Sequence, residues 1–167
     1  TFLNFEIPKE IPLLLIDGVE QDLQKTRFLN FKEIYDYSFK VASVVGLMTT
    51  PVFGYSDEQA LNYAADLGIA MQLTNILRDV GEDVDRDRIY LAQDELIAFG
   101  LTDDDILCKK IDDRFIEFMK YQIQRAREYY ERAEKGITML DRNARLPVYL
   151  ACFNYAKILN KIEENNY

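Results

Sequence analysis

Ala64, Gly68, Gln72, Asn75, Asp79 and Asp83 follow one another at intervals of 4, 4, 3, 4 and 4 residues. That spacing puts six side chains on one face of an α-helix. The face has two chemical halves. Gln72, Asn75, Asp79 and Asp83 offer two amides and two carboxylates, hard oxygen donors of the kind that magnesium, or manganese in its place, accepts alongside phosphate oxygens. Ala64 and Gly68 are small and leave room against the helix backbone. A metal-diphosphate site above an open apolar channel is what a prenyl diphosphate needs.

The plainer explanations have weight. An acidic run at a helix end is ordinarily a solvated face, and Asp79, Glu82, Asp83, Asp85 and Asp87 alone would argue no more than that. Small residues in a buried helix ordinarily serve close packing. Gln72 and Asn75 shift the balance, because they sit in the most apolar segment of the chain, Leu67 to Leu73 and just beyond. A buried amide left unpaired costs about 1 to 3 kcal/mol, so amides buried beside two acids mark a functional polar cluster. Arg78, Arg86 and Arg88 add cations next to the acids. As surface ion pairs they are worth at most about 1 kcal/mol each; as bidentate donors they would hold diphosphate oxygens.

The elements that must position this face follow from the composition and punctuation of the chain. It has 167 residues, 20 Lys plus Arg, 29 Asp plus Glu and no His, giving a net charge of −9. A 49% hydrophobic fraction supports a sizeable core and excludes intrinsic disorder. The acidic balance argues against nucleic acid as a partner. Without His there is no Ser-His-Asp triad and no His-ligated zinc, so catalysis has to rest on carboxylates, amides, Tyr, Arg, Lys or a hard metal ion. Cys108 and Cys152 are too few for a disulfide framework and read as small core hydrophobes in a reducing compartment. The longest apolar stretch, Ile11 to Ile16, is far too short to span a bilayer. The sequence starts at Thr1 and not at Met, which leads us to expect a piece of a longer protein.

Punctuation is helical throughout, and no internal boundary divides residues 1–167, so a single all-α domain is expected. Pro12 suits the first turn of a helix reaching Thr26, with Leu13, Ile16, Val19 and Leu23 at helical spacing. Asn30 followed by Glu33 predicts a capped helix running to the turn at Pro51 to Gly54, and Ser56 followed by Gln59 repeats the signal for a central helix ending near Asp83. A short helix from Gln93 to Phe99 should stop at Gly100, with a turn capped by Thr102. Asp112 should cap a long helix ending at Lys135, with Gly136 as the left-handed residue beyond it. The last helix is expected from Leu146 or Pro147 to Asn165. No strand is expected.

The run Leu67 to Leu96, LGIAMQLTNILRDVGEDVDRDRIYLAQDEL, resembles the second aspartate-rich region of the squalene/phytoene synthase family, in its phytoene branch. Gly18 to Arg27, Tyr37 to Pro51, Glu134 to Gly136, Arg145 to Val148 and Ile162 to Tyr167 resemble further segments of that family, so the likeness extends over most of the chain. The resemblance implies a helical bundle of the isoprenoid synthase type, incomplete at both ends. It implies head-to-head condensation of two geranylgeranyl diphosphates to phytoene, in carotenoid synthesis. By position, Asn75, Asp79 and Asp83 would be metal ligands, with magnesium the expected ion. Arg78 would contact diphosphate, and Tyr90 matches a tyrosine near the diphosphate region. Tyr37, Val41, Ala42, Gly46, Ala64, Leu67, Gly68 and Met71 would line the prenyl pocket, with Gln72 a neighbouring polar group.

The chain departs from the family pattern at several positions. Ser43 stands where Gly is usual, Phe39 where many members have Tyr, Asp87 where Gly is common, and Ala92 where Pro follows Tyr-Leu. The first aspartate-rich motif, DxxxD, has no counterpart in residues 1–167; Asp17 and Asp22 are five apart and do not fit it. Residues 1–167 are therefore expected to need an upstream part of the same protein and to be inactive alone. Three other readings stand beside this one: a non-catalytic relative of the same fold serving as an assembly or interaction protein, an unrelated acidic helical interaction domain, and a synthase using farnesyl diphosphate. Plastid or bacterial cytoplasm would fit, with loose membrane association expected from a hydrophobic product.

Overall fold

The computed structural model of the chain describes residues 2–167. Eight α-helices and one small sheet follow in order: α1 Glu10–Asp22, β1 Arg27–Phe28, α2 Phe31–Ser38, α3 Val44–Phe53, α4 Gln59–Val84, β2 Ile89–Ala92, α5 Gln93–Ala98, α6 Asp103–Leu107, α7 Asp113–Ile137 and α8 Arg142–Glu164. The all-α expectation holds, with α4 at the centre, flanked by α7 along its length and by α3 and α8. No helix among the described residues is long and apolar enough to cross a membrane.

Several local signals act as read. Pro12 lies in the first turn of α1. The Asn30 side chain accepts from the Glu33 N–H at 3.1 Å to open α2, although the Glu33 carboxylate reaches back to the Leu29 N–H, one residue before the cap. Thr102 and Asp105 form a full capping box at α6, Asp112 accepts from the N–H groups of Arg114 and Phe115 to open α7, and Gly100, at φ +71°, closes α5.

Other expectations need correction. The helix expected from Asn30 to Gly54 is interrupted by a π-helical turn, Phe39–Ser43, between α2 and α3. The reason is the approach of α4: a Cβ on Gly68 would lie 2.4 Å from the Ser43 Cα, so two backbones touch here. The turn also aims the buried Ser43 hydroxyl at the Ala65 carbonyl, 2.7 Å away. Ser56 does not cap α4; its hydroxyl donates to the Met139 carbonyl, while Asp57 accepts from the Gln59 N–H. Gly136 is not a left-handed terminator but lies inside α7, where its missing side chain admits Tyr63. Helix α8 begins at Arg142, carrying Pro147 within it.

Helix α1 ends at Asp22, short of Thr26, and its stripe of Leu13, Ile16, Val19 and Leu23 is 54 to 76% exposed. Its inward face is Gly18, packed on Lys40 and Val41. Cys152 is buried as expected, whereas Cys108 is exposed.

The sheet was not expected. β1 and β2 pair in parallel, and both are too short for a two-residue alternation to show in the sequence. Phe28, Ile89, Leu91 and Ala92 are nearly inaccessible, so the peptide groups of these segments need partners inside the protein, and each strand supplies them to the other.

The contact at Gly68 yields a stability test. Gly68→Ala should lower stability by about 1 to 3 kcal/mol through overpacking. Gly81→Ala on the same helix, where a Cβ meets nothing within 4 Å, should raise it by about 0.5 to 1 kcal/mol through backbone entropy. Urea midpoints of the two variants check the pair, and an unchanged midpoint for Gly68→Ala would remove the backbone contact.

Candidate functional site

Two cavities lie along the α4 face. The apolar one, about 310 Å³, is bounded by Ala64, Leu67, Gly68 and Met71 from α4, by Ala42 and Gly46 from the segment before it, and by α7 and α8. The polar one, about 210 Å³, is lined by Gln72, Asn75, Asp79 and Asp83 from α4, and by Asp22, Tyr37, Arg86, Arg88 and Tyr90. The spacing from Ala64 to Asp83 spans about 28 Å at 1.5 Å per residue. One helix face thus passes from an apolar to an acidic environment.

The structure distributes the candidate residues unevenly between these spaces. Tyr37 and Gln72 fall in the polar cavity, while Val41 lines neither and packs against Gly18 and the core. Gly68 and Gly46 border the apolar cavity, yet the room beside them is largely filled by helix backbone: a Cβ on Gly46 would stand 2.7 Å from the Ala64 carbonyl oxygen. Arg78 lies outside the polar cavity, on the grooves by Leu77. Its guanidinium donates to both Asp79 oxygens at 2.6 and 2.7 Å. The cations that do line the polar cavity are Arg86 and Arg88.

Asp22 is the functional candidate that sequence reasoning passed over. Its Oδ1 accepts from the Tyr37 hydroxyl at 2.9 Å and the Tyr90 hydroxyl at 2.6 Å, and its Oδ2 from Arg88 at 3.3 Å. Asp17 is elsewhere, paired with Lys40 at 2.6 Å. One signal for Asp22 was available: a carboxylate in the last turn of a helix opposes the helix dipole, so it needs compensating donors. The rings of Phe28, Tyr37 and Tyr90 pack mutually at centroid distances of 5.4 to 5.7 Å, so Tyr37 and Tyr90 give the polar cavity an aromatic wall backed by the buried Phe28. Asp87 explains a departure noted above. It adopts φ +55°, a conformation that favours Gly, and both its carbonyl and its carboxylate are held by Arg27.

Asp83 is half-buried, and its carboxyl is pushed up to about 6, first by burial and then by the charge of Asp79, against the pull of Arg86 and Arg88. Burial and the Asp22 hydrogen bond raise the phenols of Tyr37 and Tyr90 above their ordinary range, so both stay protonated. Asn75 donates to Gln72 at 3.4 Å, but its own carbonyl oxygen is buried with no partner. An orphan amide oxygen beside two carboxylates fits a divalent cation that completes its shell with phosphate oxygens. Among the described residues no group of three or more His, Cys, Asp or Glu side chains is placed to hold a metal unaided.

The sequence model described as squalene/phytoene synthase matches residues 1–167. The chain belongs to that family. It is 49% identical over 159 residues to the chloroplastic phytoene synthase of Narcissus pseudonarcissus, covering 92% of this chain and 38% of that relative. It is 47% identical over 173 residues to the chloroplastic phytoene synthase of an Oncidium hybrid cultivar, covering 100% and 42%. The chain therefore spans about two fifths of the length of the curated relatives it matches. A dehydrosqualene synthase solved with a ligand superposes with a TM-score of 0.90 at 28% identity, over 95% of this chain and 56% of that one.

The raised Asp83 carboxyl sets a pH dependence. Between about pH 4 and 6 the folded chain keeps a proton that the unfolded chain has released, so stability falls as pH rises through that window. Asp83→Asn cannot ionise and should lose less stability there than the parent, with solvent screening keeping the difference small. Urea titrations at pH 4 and pH 7 with a chelator present measure it; parallel pH profiles would refute the burial of this carboxyl.

Proposed function

We propose that this chain carries the second metal-binding face and part of the prenyl channel of a phytoene synthase. Its whole protein would join two geranylgeranyl diphosphates head to head. The observation that supports this most is the continuous α4 face, apolar from Ala64 to Met71 and acidic from Asn75 to Asp83, with a cavity on each half. In the reaction, one substrate loses diphosphate to give an allylic cation. The double bond of the other attacks it, a proton leaves, and a cyclopropylcarbinyl diphosphate forms. A second loss of diphosphate, rearrangement and loss of another proton give phytoene.

Each part of the site has a task in this scheme. Asn75, Asp79 and Asp83 would hold magnesium, or manganese, whose chemistry is to neutralise charge on a diphosphate as its C–O bond breaks. Arg86 and Arg88 border the same cavity and supply further positive charge to the leaving group. The aromatic wall of Tyr37 and Tyr90, backed by Phe28, and the apolar cavity keep water from the cation. Arg78, bound to both oxygens of Asp79, fixes that carboxylate's orientation.

Two carboxylates and an amide would not hold enough magnesium to neutralise a diphosphate, so residues 1–167 would need an opposing acidic helix, with further metal ligands, from the rest of the protein. The exposed apolar residues of α1 and of α8, Leu146, Tyr149, Leu150 and Phe153, suit that packing. The chloroplastic relatives support a plastid location, and a hydrophobic product supports loose association with its membranes.

The test is turnover of geranylgeranyl diphosphate with magnesium by the full chain, with phytoene detected by mass spectrometry. Asp79→Ala and Asp83→Ala should each reduce it by about 100-fold or more while keeping the helical circular dichroism. Ala64→Phe should weaken geranylgeranyl diphosphate more than farnesyl diphosphate. Near-normal turnover in both aspartate variants would overturn the metal face, and squalene-type products from farnesyl diphosphate alone would overturn the substrate assignment.

A further inference from the structure

Asp22 is held by more donors than its place in the fold requires. Helix α1 is docked without it, through Gly18 against Lys40 and Val41 and through Lys40, which binds both Asp17 and Gln21. Asp22 itself closes α1, where the negative end of the helix dipole disfavours a carboxylate by about 0.3 to 1 kcal/mol. Two phenols and a guanidinium nevertheless converge on it: Tyr37 at 2.9 Å, Tyr90 at 2.6 Å and Arg88 at 3.3 Å. Both tyrosines donate their hydroxyls to the same Asp22 oxygen.

We propose that Asp22 is a positioning residue: by accepting the hydroxyl hydrogen bonds of Tyr37 and Tyr90 together, it leaves both phenol oxygens with acceptor capacity only on the wall of the polar cavity. This rests on the reading of the cavity as a prenyl diphosphate site, and it assigns the wall its specificity. A diphosphate oxygen finds no O–H donor on Tyr37 or Tyr90 and is directed to Arg86, Arg88 and the acid face. A carbocation finds electron-rich oxygens and ring faces. Arg88, which also donates to the Tyr90 oxygen at 3.2 Å, locks the second ring in place.

Freeing the hydroxyls should turn two acceptors into donors that compete for the diphosphate. In the full chain, Asp22→Ala is expected to lower kcat by about 10- to 100-fold while KM for geranylgeranyl diphosphate changes little, the mark of an interaction made late in the reaction. Asp22→Leu keeps about the volume, offers no acceptor to either hydroxyl, and replaces it should the alanine variant not fold. In a Tyr37→Phe/Tyr90→Phe background the same substitution should cost nothing more, because its effect runs through those hydroxyls. Multiplicative losses would show that Asp22 acts by itself and would overturn the proposal, as would a rise in KM with kcat unchanged.

A second measurement needs no turnover. The infrared Cζ–O stretch of ring-labelled Tyr37 and Tyr90, isolated by difference against the phenylalanine variants, should shift in Asp22→Ala and Asp22→Leu without substrate. An unchanged band overturns the link between Asp22 and the tyrosines whatever the enzyme does. A shifted band in a full chain that turns over no prenyl diphosphate would uphold the link and defeat the functional reading instead.

Discussion

Everything in this fold depends on how closely α4 can be approached. At Gly68 its backbone touches that of the π-helical turn, and at Ala64 its carbonyl meets Gly46. On another side Gly136 admits the Tyr63 ring between α4 and α7. These contacts fix α4 with little side-chain freedom and gain dispersion along its length. Polar groups in the same core are satisfied locally: the Thr74 hydroxyl pairs with the Ala70 carbonyl and meets the Tyr130 hydroxyl. With the helix so held, one face can carry amides and carboxylates at defined positions and still border an apolar cavity a few residues away.

Which residues share that face was legible because α-helical periodicity is a local property. The intervals from Ala64 to Asp83 needed no tertiary information, and neither did the caps at Asn30, Thr102 and Asp112. What the sequence could not show were features made by contact between distant segments. The π-helical turn exists because Gly68 presses on Ser43, and the parallel strand pair because Phe28 and Ile89 are buried together. Asp22 was set aside because its spacing to Asp17 fits no metal pair, a question about its own helix, whereas its partners come from α2 and β2. Arg78 looked like a diphosphate ligand from its place in the run, yet its side chain turns to the adjacent Asp79.

Two departures from the family pattern have physical compensation in this chain. Ser43 brings a hydroxyl into a contact with no spare volume, and the Ala65 carbonyl receives it. Asp87 accepts a left-handed backbone that Gly would adopt freely, and Arg27 secures it from both sides. Arg27 also binds Asp103, so a single guanidinium joins the first strand, the turn after α4 and the start of α6.

Sequence separation along the walls of the polar cavity has a kinetic meaning. Its acidic floor closes within a few turns of one helix, whereas the Asp22–Tyr90 bond joins positions 68 residues apart and the Asp22–Arg88 bond positions 66 apart. Loops of that length must lose their freedom before such contacts can form, so Tyr90 and Arg88 join the wall at a late, topology-limited stage of folding, after the Asp22–Tyr37 bond, which spans 15 residues. The carboxylates of one helix can therefore be arrayed, open to solvent and to metal ions, before Tyr90 and Arg88 close the cavity beside them.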